Sequence, residues 1–255
     1  MPALLSVENV SFAYPGRHIL DSVSFSAGSG EFIVLMGRNG AGKSTLLDII
    51  AGLRDCDSGE IRIHGSPLSK LRARQRARRI SHLPQGKRDE LPFTVEQVVL
   101  MGRYAYADRW FESEADHSYA LDAMRRVDCA QFRGRLFTTL SGGEQQRVLL
   151  AACIAQRPDV MLFDEPSTYL DVHQQLQCFA TLRELAREGA LCIAVTHDLN
   201  LGLAHCTRVL LLDGGRISRD IPAEKASVDP NWICALSPQL RIVNTPEGRP
   251  WILYP

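Results

Sequence analysis

The chain has 255 residues, 45% of them hydrophobic and 23% charged, a balance that excludes a disordered or collagen-like polypeptide. Its 29 basic and 29 acidic residues cancel, so no net field attracts nucleic acid or anionic lipid. Seven scattered cysteines indicate reduced thiols in a cytosol rather than a disulfide framework. No segment approaches the roughly 20 apolar residues of a membrane span, so we expect one domain that serves any membrane from outside the lipid.

The chain opens with two segments of alternating polarity, at residues 5–12 and 19–25, separated by a Tyr-Pro-Gly turn. This pattern predicts an antiparallel hairpin. The apolar sequence EFIVLMG follows and runs directly into GRNGAGKST and the helical sequence LLDIIAGL. A strand, a loop and a helix in this order are predicted.

The loop of this unit matches the phosphate-binding pattern G-x-x-x-x-G-K-S, whose glycines let successive amides turn toward a β-phosphate. We expect Lys43 to contact the β and γ oxygens and Ser44 to bind Mg²⁺. A glycine-rich turn without a ligand is the alternative, which the strand before and the helix after disfavour. The predicted nucleotide contacts are Gly37, Arg38, Asn39, Gly40, Ala41, Gly42, Lys43, Ser44 and Thr45.

The middle of the chain, residues 86–156, has helical periodicity, beginning with a capping-box pattern at residues 94–97. It predicts a helical subdomain inserted into an α/β core that comprises residues 1–85 and 157–222. The remaining residues, 223–255, include Pro230, Pro238, Pro246 and Pro250 and predict a short irregular appendage.

Residues 140–147, LSGGEQQR, open a helical run in which Ser141 is the cap and Gly142 and Gly143 follow. A capped helix tip with two glycines presents amide donors and the positive end of the helix dipole, which suits an anion. Because Lys43 already serves the phosphates of its own chain, this second site predicts a homodimer in which the tip closes on the other copy's ATP. An ordinary helix N-terminus is the alternative.

Apolar strands are predicted at residues 160–163, 190–195 and 209–212, separated by helices, which indicates parallel strands with crossover helices. The first of them ends in Asp164 and Glu165. A carboxylate at that end can reach a metal beside the phosphate loop. We therefore expect Asp164 to bind Mg²⁺ and Glu165 to polarise the attacking water. The alternative is that the two acids only cap the next element.

The ordered set GRNGAGKST, LPQ, LSGGEQQR, VMLFDEP, STYLD and VTHDL resembles the ATP-binding cassette ATPases over nearly the whole chain. The resemblance implies an α/β P-loop NTPase core with a parallel sheet, an N-terminal antiparallel β subdomain and an inserted helical subdomain. It also implies that Tyr14 stacks on adenine, Gln85 couples Mg²⁺ to a transmembrane partner, Asp171 contacts the opposite subunit and His197 senses the γ-phosphate.

The sequences FTVEQVVLMGRYAY and LDVHQQ are similar to the importer subfamily that takes up iron siderophores, haem and cobalamin. This likeness implies two transmembrane permease subunits, a periplasmic or lipid-anchored substrate-binding protein, and a place on the cytoplasmic face of the inner membrane. Arg38, the pair Ala105-Tyr106, and Tyr169 depart from the usual subfamily pattern.

Two features leave other functions open. The aromatic residues Tyr104, Tyr106, Trp110 and Phe111 suit either a partner surface or the packing of the helical subdomain. A basic run suits nucleic acid, a lipid surface or a solvated helix face, and the zero net charge favours the last. The rival functions are a separate-chain exporter and a cassette ATPase that acts on nucleic acid; the absence of tandem cassettes disfavours the second, so no nucleic acid is expected. The basic residues are Lys70, Arg72, Arg74, Arg76, Arg78 and Arg79.

Overall fold

The computed structural model describes residues 3–85, 91–106, 113–226, 230–237, 239–244 and 250–253. The strands are β1 (Leu5–Tyr14), β2 (Arg17–Ala27), β3 (Phe32–Met36), β4 (Ser58–Ile63), β5 (Ser66–Pro67), β6 (Ile80–Leu83), β7 (Val160–Asp164), β8 (Leu191–Val195), β9 (Arg208–Asp213), β10 (Arg216–Pro222), β11 (Arg241–Asn244) and β12 (Pro250–Leu253). The helices are α1 (Lys43–Ile50), α2 (Ala73–Arg79), α3 (Val95–Met101), α4 (Glu114–Arg126), α5 (Gly142–Ala155), α6 (Val172–Arg187), α7 (Leu199–His205) and α8 (Ala223–Ala226).

The central sheet has the strand order β10-β9-β3-β8-β7-β6, and all of its neighbouring pairs are parallel except β10 with β9. An antiparallel sheet, β2-β1-β4-β5, covers one side. The strands β3, β7 and β8 are buried along their whole length. Continuous apolar sequence is what a parallel sheet covered on both faces requires. The predicted fold class, a parallel α/β core with an antiparallel β subdomain, is therefore confirmed.

Alternate residues of β3 enter two different cores. Phe32, Val34 and Met36 pack in the core shared with α3, α4, α5 and α6. Ile33 and Leu35 pack in the core shared with α1 and the antiparallel sheet. Since successive strand side chains point to opposite faces, one strand joins the two cores and holds the loop that follows it from both sides.

Helices α3, α4 and α5 pack together in the middle of the chain. Thr94 caps α3 with the predicted capping box, completed by Gln97. Arg103 binds Asp116 at 2.8 Å, and both side chains are more than nine-tenths buried. The boundaries of this subdomain, at residues 86 and 156, stay a prediction.

Four residues of the basic run lie in α2, in which no residue is buried, as expected of a solvated face, while Lys70 and Arg72 precede the helix. Two of its arginines also contact the helical subdomain: Arg74 and Arg78 each donate from Nε to the carbonyl of Ala105, at 2.9 and 2.8 Å. The guanidinium groups of Arg78 and Arg103 lie 5.2 and 4.1 Å from the centroid of the Tyr106 ring. Tyr106, Arg74 and Arg78 therefore contribute to packing between α2 and the helical subdomain. Trp110 and Phe111 lie outside the described residues.

The prediction of an irregular tail was wrong. The tail contains α8, a 3₁₀ turn at Pro230–Ala235, and the antiparallel strands β11 and β12. Trp232, Ile233 and Ile252 are fully buried against the core. Proline does not exclude regular structure here, because Pro230 begins the 3₁₀ turn and Pro250 begins β12, and a missing N–H is tolerated at the start of an element.

We predict that Gly102→Ala destabilises the protein by about 1 to 3 kcal/mol, the usual cost of overpacking. A Cβ at Gly102 would lie 2.1 Å from the carbonyl oxygen of Ala152, so α3 and α5 would have to separate. Helix propensity alone would favour alanine. Gly134→Ala is the control, because a Cβ there meets nothing within 4 Å. Urea unfolding of both variants measures the difference, and equal midpoints would contradict the packing argument.

Candidate nucleotide site

The candidate site lies at the carboxyl ends of neighbouring parallel strands. The phosphate loop connects β3 to α1, while Asp164 ends β7 and His197 follows β8 by two residues. Because the order is β3-β8-β7, these side chains emerge at one edge of the sheet. This edge is where open α/β sheets bind ligands.

The phosphate loop has a path that only glycine accommodates at two positions. A Cβ at Gly37 would lie 2.3 Å from the carbonyl oxygen of Leu212. Gly42 has φ 101°, and a Cβ there would lie 2.9 Å from side-chain carbons of Ile19 and Leu20. The loop therefore packs closely against β9 and β2.

Lys43 begins α1 and is only 8% exposed. Its Nζ donates to the carbonyl oxygens of Gly37 and Arg38, at 2.9 and 3.1 Å. Burial lowers the pKa of Lys43, and the charges of Asp164 and Glu165 oppose that shift. The ammonium is therefore held inside its own loop, with two carboxylates as its electrostatic partners.

Asp164 is 3% exposed, and its Oδ1 has no hydrogen-bond partner among the described residues. Burial raises its pKa, a hydrogen bond from Ser44 opposes this, and the charge of Glu165 adds to it. A buried carboxylate oxygen without a partner is costly. Oxygen from a carboxylate and a hydroxyl suits a hard cation, so Asp164 and Ser44 fit Mg²⁺.

Glu165 is held on both sides. One carboxylate oxygen lies 2.6 Å from His197 Nε2, and Thr168 Oγ1 donates to the other at 3.1 Å. Its backbone has φ 55°, a left-handed conformation that costs a non-glycine residue roughly 1 to 2 kcal/mol. The amide of Glu165 donates to the Val195 carbonyl at 3.0 Å, which helps to fix this turn. The carboxylate is therefore oriented before any ligand arrives.

The predicted cap at Ser141 is present. Ser141 Oγ accepts from the amide of Glu144, and the amide of Ser141 donates to the Glu144 carboxylate at 2.6 Å. Ser141 and Gly142 are exposed at the tip of α5, and a Cβ at Gly143 would lie 3.0 Å from the Tyr169 carbonyl oxygen. Asp171 caps α6 next to this tip, accepting from Gln174 at 2.8 Å.

Gln85 is exposed and lines a cavity of about 750 Å³ together with Asp164 and Glu165. Tyr14 is 40% exposed, and its ring meets Phe12 edge-on at 5.0 Å. The guanidinium of Arg54 lies 5.1 Å from the Tyr14 ring centroid. The structure thus brings Gln85 to the acid pair, and it adds Arg54 to Tyr14.

Sequence reasoning missed three residues here: Arg54, Thr168 and His82, which lines the Asp164 cavity. Thr168 had a signal, since a hydroxyl three residues after an acid can bond back to it. Arg54 and His82 had none, because Tyr14 and Asp164, the site residues near which they lie, are distant from them in sequence.

A parallel sheet whose central strand leads through a phosphate loop into a helix defines the P-loop nucleoside-triphosphatase class. The family model described as ABC transporter matches residues 20–168. The hemin import ATP-binding protein HmuV of Streptomyces coelicolor is 43% identical over 209 residues, which are 81% of this chain and 74% of that protein. The cobalamin import ATP-binding protein BtuD of Halobacterium salinarum is 38% identical over 232 residues, 91% of this chain and 58% of that protein.

Solved structures agree. A structure described as a metal-chelate type ABC transporter in an inward-facing conformation has a TM-score of 0.82 and 26% identity, covering 99% of this chain and 98% of that one. A dimeric bacterial ABC transporter cassette has a TM-score of 0.78 and 28% identity, covering 86% and 98%. The chain belongs to the ABC transporter family and is an ATPase of that family. Among the described residues, no helix has the length and apolar character that crossing a membrane would require.

We predict that Asp164→Asn stabilises the ligand-free protein by about 1 kcal/mol at neutral pH, because it removes a negative charge that burial and the neighbouring Glu165 both disfavour. Since burial raises the pKa of Asp164, wild-type stability falls as pH rises through that pKa. The advantage of the variant should therefore vanish below the ordinary carboxyl range.

Urea unfolding at neutral and acidic pH measures this difference, with Asp213→Asn, an exposed aspartate, as the control. Lower stability of Asp164→Asn than of the wild type at neutral pH would contradict the claim that the buried charge of Asp164 destabilises the ligand-free protein.

Proposed function

We propose that this ATPase drives a membrane importer for a metal chelate such as a siderophore, haem or cobalamin. The assignment of ATP hydrolysis rests on one observation: the Glu165 carboxylate is held by contacts to His197 and Thr168. The cargo class is supported by the relatives that are named hemin and cobalamin import proteins.

The nucleotide is assigned to the loop from Gly37 to Thr45, with Lys43 on the β and γ oxygens. Tyr14, with Arg54 against its ring, would form the platform for adenine. Stacking of a base on an aromatic ring contributes roughly 1 to 3 kcal/mol. Mg²⁺, when bound, neutralises phosphate charge, and Ser44, Asp164 and Gln85 would hold it.

The hydrolytic step is assigned to Glu165 as the group that polarises water. A base must be within hydrogen-bond reach and fixed in direction, and the contacts to His197 and Thr168 provide that direction. The 2.6 Å contact with Glu165 also places His197 close to the reacting groups that Glu165 would face. His197 is more than half exposed, so it can contact a γ-phosphate.

The dimer is assigned to the tip of α5. Ser141, Gly142 and Gly143 of one copy would close on the ATP held by the other, with Asp171 beside them. Support comes from the exposure of Ser141 and Gly142 and from the dimeric cassette among the similar structures. Two permease subunits and a substrate-binding protein complete the proposed complex at the cytoplasmic face of the inner membrane. Helices α3 to α5, next to Gln85, would pass closure to the permeases.

We predict that Glu165→Gln binds ATP with nearly wild-type affinity, hydrolyses it roughly 100- to 10,000-fold more slowly, and accumulates as a dimer. The amide keeps the shape of the side chain but cannot take up a proton. Steady-state ATPase assays, ATP titration and size-exclusion chromatography give the three readouts. Glu184→Gln, an exposed glutamate of α6, is the control. Wild-type turnover in Glu165→Gln would remove the assignment of Glu165.

The same variant tests the direction of transport. Cells that lack the gene should lose uptake of the labelled chelate, and the wild-type gene but not Glu165→Gln should restore it. Accumulation of the chelate inside gene-deleted cells would instead identify an exporter. Binding to DNA with a steep salt dependence would identify a nucleic-acid motor.

We predict that Ser141→Arg retains ATP binding by the single chain but loses dimer-dependent turnover, because a long cation blocks the exposed tip. Ser113→Arg is a matched control, since Ser113 is an exposed serine that caps α4 with the same capping box. Each variant loses a cap worth about 1 kcal/mol. Equal ATPase activity in the two variants would argue against closure through Ser141.

A further inference from the structure

We propose that the C-terminal β pair, defined as β11 and β12, positions the hydrolytic residues Glu165 and His197. Asn200 bonds α7 to β12 and thereby fixes the position of His197, which precedes α7. This inference rests on the proposed function, because it takes Glu165 and His197 as the hydrolytic pair. Asn200 is thus a positioning residue. Trp251 of β12, which lines the site, is a second one.

Asn200 joins α7 to β12 through both ends of its amide. Its Nδ2 donates to the carbonyl of Ile252 at 3.0 Å, and its Oδ1 accepts from the amide of Ile252 at 2.6 Å. Asn200 is 9% exposed and Ile252 is fully buried. Only a side-chain amide supplies a donor and an acceptor in this arrangement. The contact therefore acts as one added rung of the β pair.

His197 lies immediately before the helix that Asn200 holds. Asp198 caps α7, accepting from Leu201 at 2.9 Å, and its own amide donates to Thr196 Oγ1 at 3.1 Å. A helix of seven residues is marginal alone, so its position depends on tertiary contacts. One such contact is to β12 through Asn200, two residues from the cap. Releasing it would let the start of α7 move and carry His197 with it.

Trp251 reaches the site from the opposite face of β12. Ile252 enters the core, and the neighbouring Trp251, 48% exposed, lines a cavity of about 530 Å³ with Glu165, Thr168 and His197. Successive strand residues point to opposite faces, which explains this division. The indole bounds the space beside the exposed imidazole of His197. It therefore limits how far that imidazole can turn from Glu165.

The tail has a separate anchor that involves neither residue. Trp232 is 1% exposed in the core that includes β3 and helices α3 to α6, and within the tail its Nε1 donates to the carbonyl of Ala226 at 2.9 Å. Because this anchor attaches the tail to the protein, the Asn200 contact can be removed with the tail still attached. The functional contribution of Asn200 is therefore separable from general stability.

The test is ATP hydrolysis by the full chain carrying Asn200→Leu, which keeps the volume and removes both hydrogen bonds. We expect kcat to fall about tenfold to a hundredfold, the effect of a small misplacement of a reacting group. The KM for ATP should stay within about twofold, since the phosphate loop is untouched. ATP affinity measured in the Glu165→Gln background should be the same with and without Asn200→Leu.

A second variant keeps the proposal testable if Asn200→Leu does not fold. Trp251→Ala changes an exposed side chain and should lower kcat several-fold at unchanged KM, whereas Trp251→Phe should keep most of the activity. Val243→Ala is the matched control: Val243 pairs with Trp251 across the β pair, is 40% exposed, and does not line the cavity. Equal kcat for Trp251→Ala and Val243→Ala would overturn the proposal.

Two further outcomes separate this inference from the function beneath it. If Glu165→Gln keeps wild-type turnover, the proposed hydrolytic role of Glu165 fails first. If Glu165→Gln is inactive but folded Asn200→Leu has wild-type kcat, only the positioning role fails. A parallel loss of kcat and ATP affinity in Asn200→Leu would show a general structural role and also overturn the proposal.

Discussion

The parallel pairing of β3 with β8 and of β8 with β7 is the constraint on which the site depends. Leu35 pairs with Val195, and Val195 pairs with Asp164, so the ends of the three strands are level. These strands are buried on both faces, and slipping one of them by a residue would turn its apolar side chains to the wrong core. The level ends place the phosphate loop, the acid pair and His197 at one edge.

The same edge concentrates features that do not stabilise the folded protein. Lys43 is desolvated, Asp164 keeps a buried oxygen without a partner in the described part of the chain, and Glu165 has a left-handed backbone. Each is tolerated because the two cores on either side of the sheet hold the strands in place. A site prepared for a phosphate and a cation has these properties before the ligand binds, because its charges and donors face each other at close range.

Sequence patterns predicted the elements whose physics is local. The βα unit around Lys43, the capping box at Thr94, the serine cap at Ser141, and the helix at Leu199–His205 follow from residues within a few positions of each other. The patterns missed β10, whose sequence RISRDIP lies largely exposed at a sheet edge and has no apolar face to reveal it. They also misjudged the tail, because proline reports a local preference and the burial of Trp232 is not local.

The sequence by itself determined the class of chemistry, since a phosphate loop, a strand ending in two acids and a glycine-rich helix tip are encoded in short windows. Only the tertiary structure decided which side chains orient these parts. Arg54 meets the ring of Tyr14 across 40 positions, and Asn200 bonds to Ile252 across 52. Such pairs form only after the sheets have closed, because nothing in a local window specifies a distant partner.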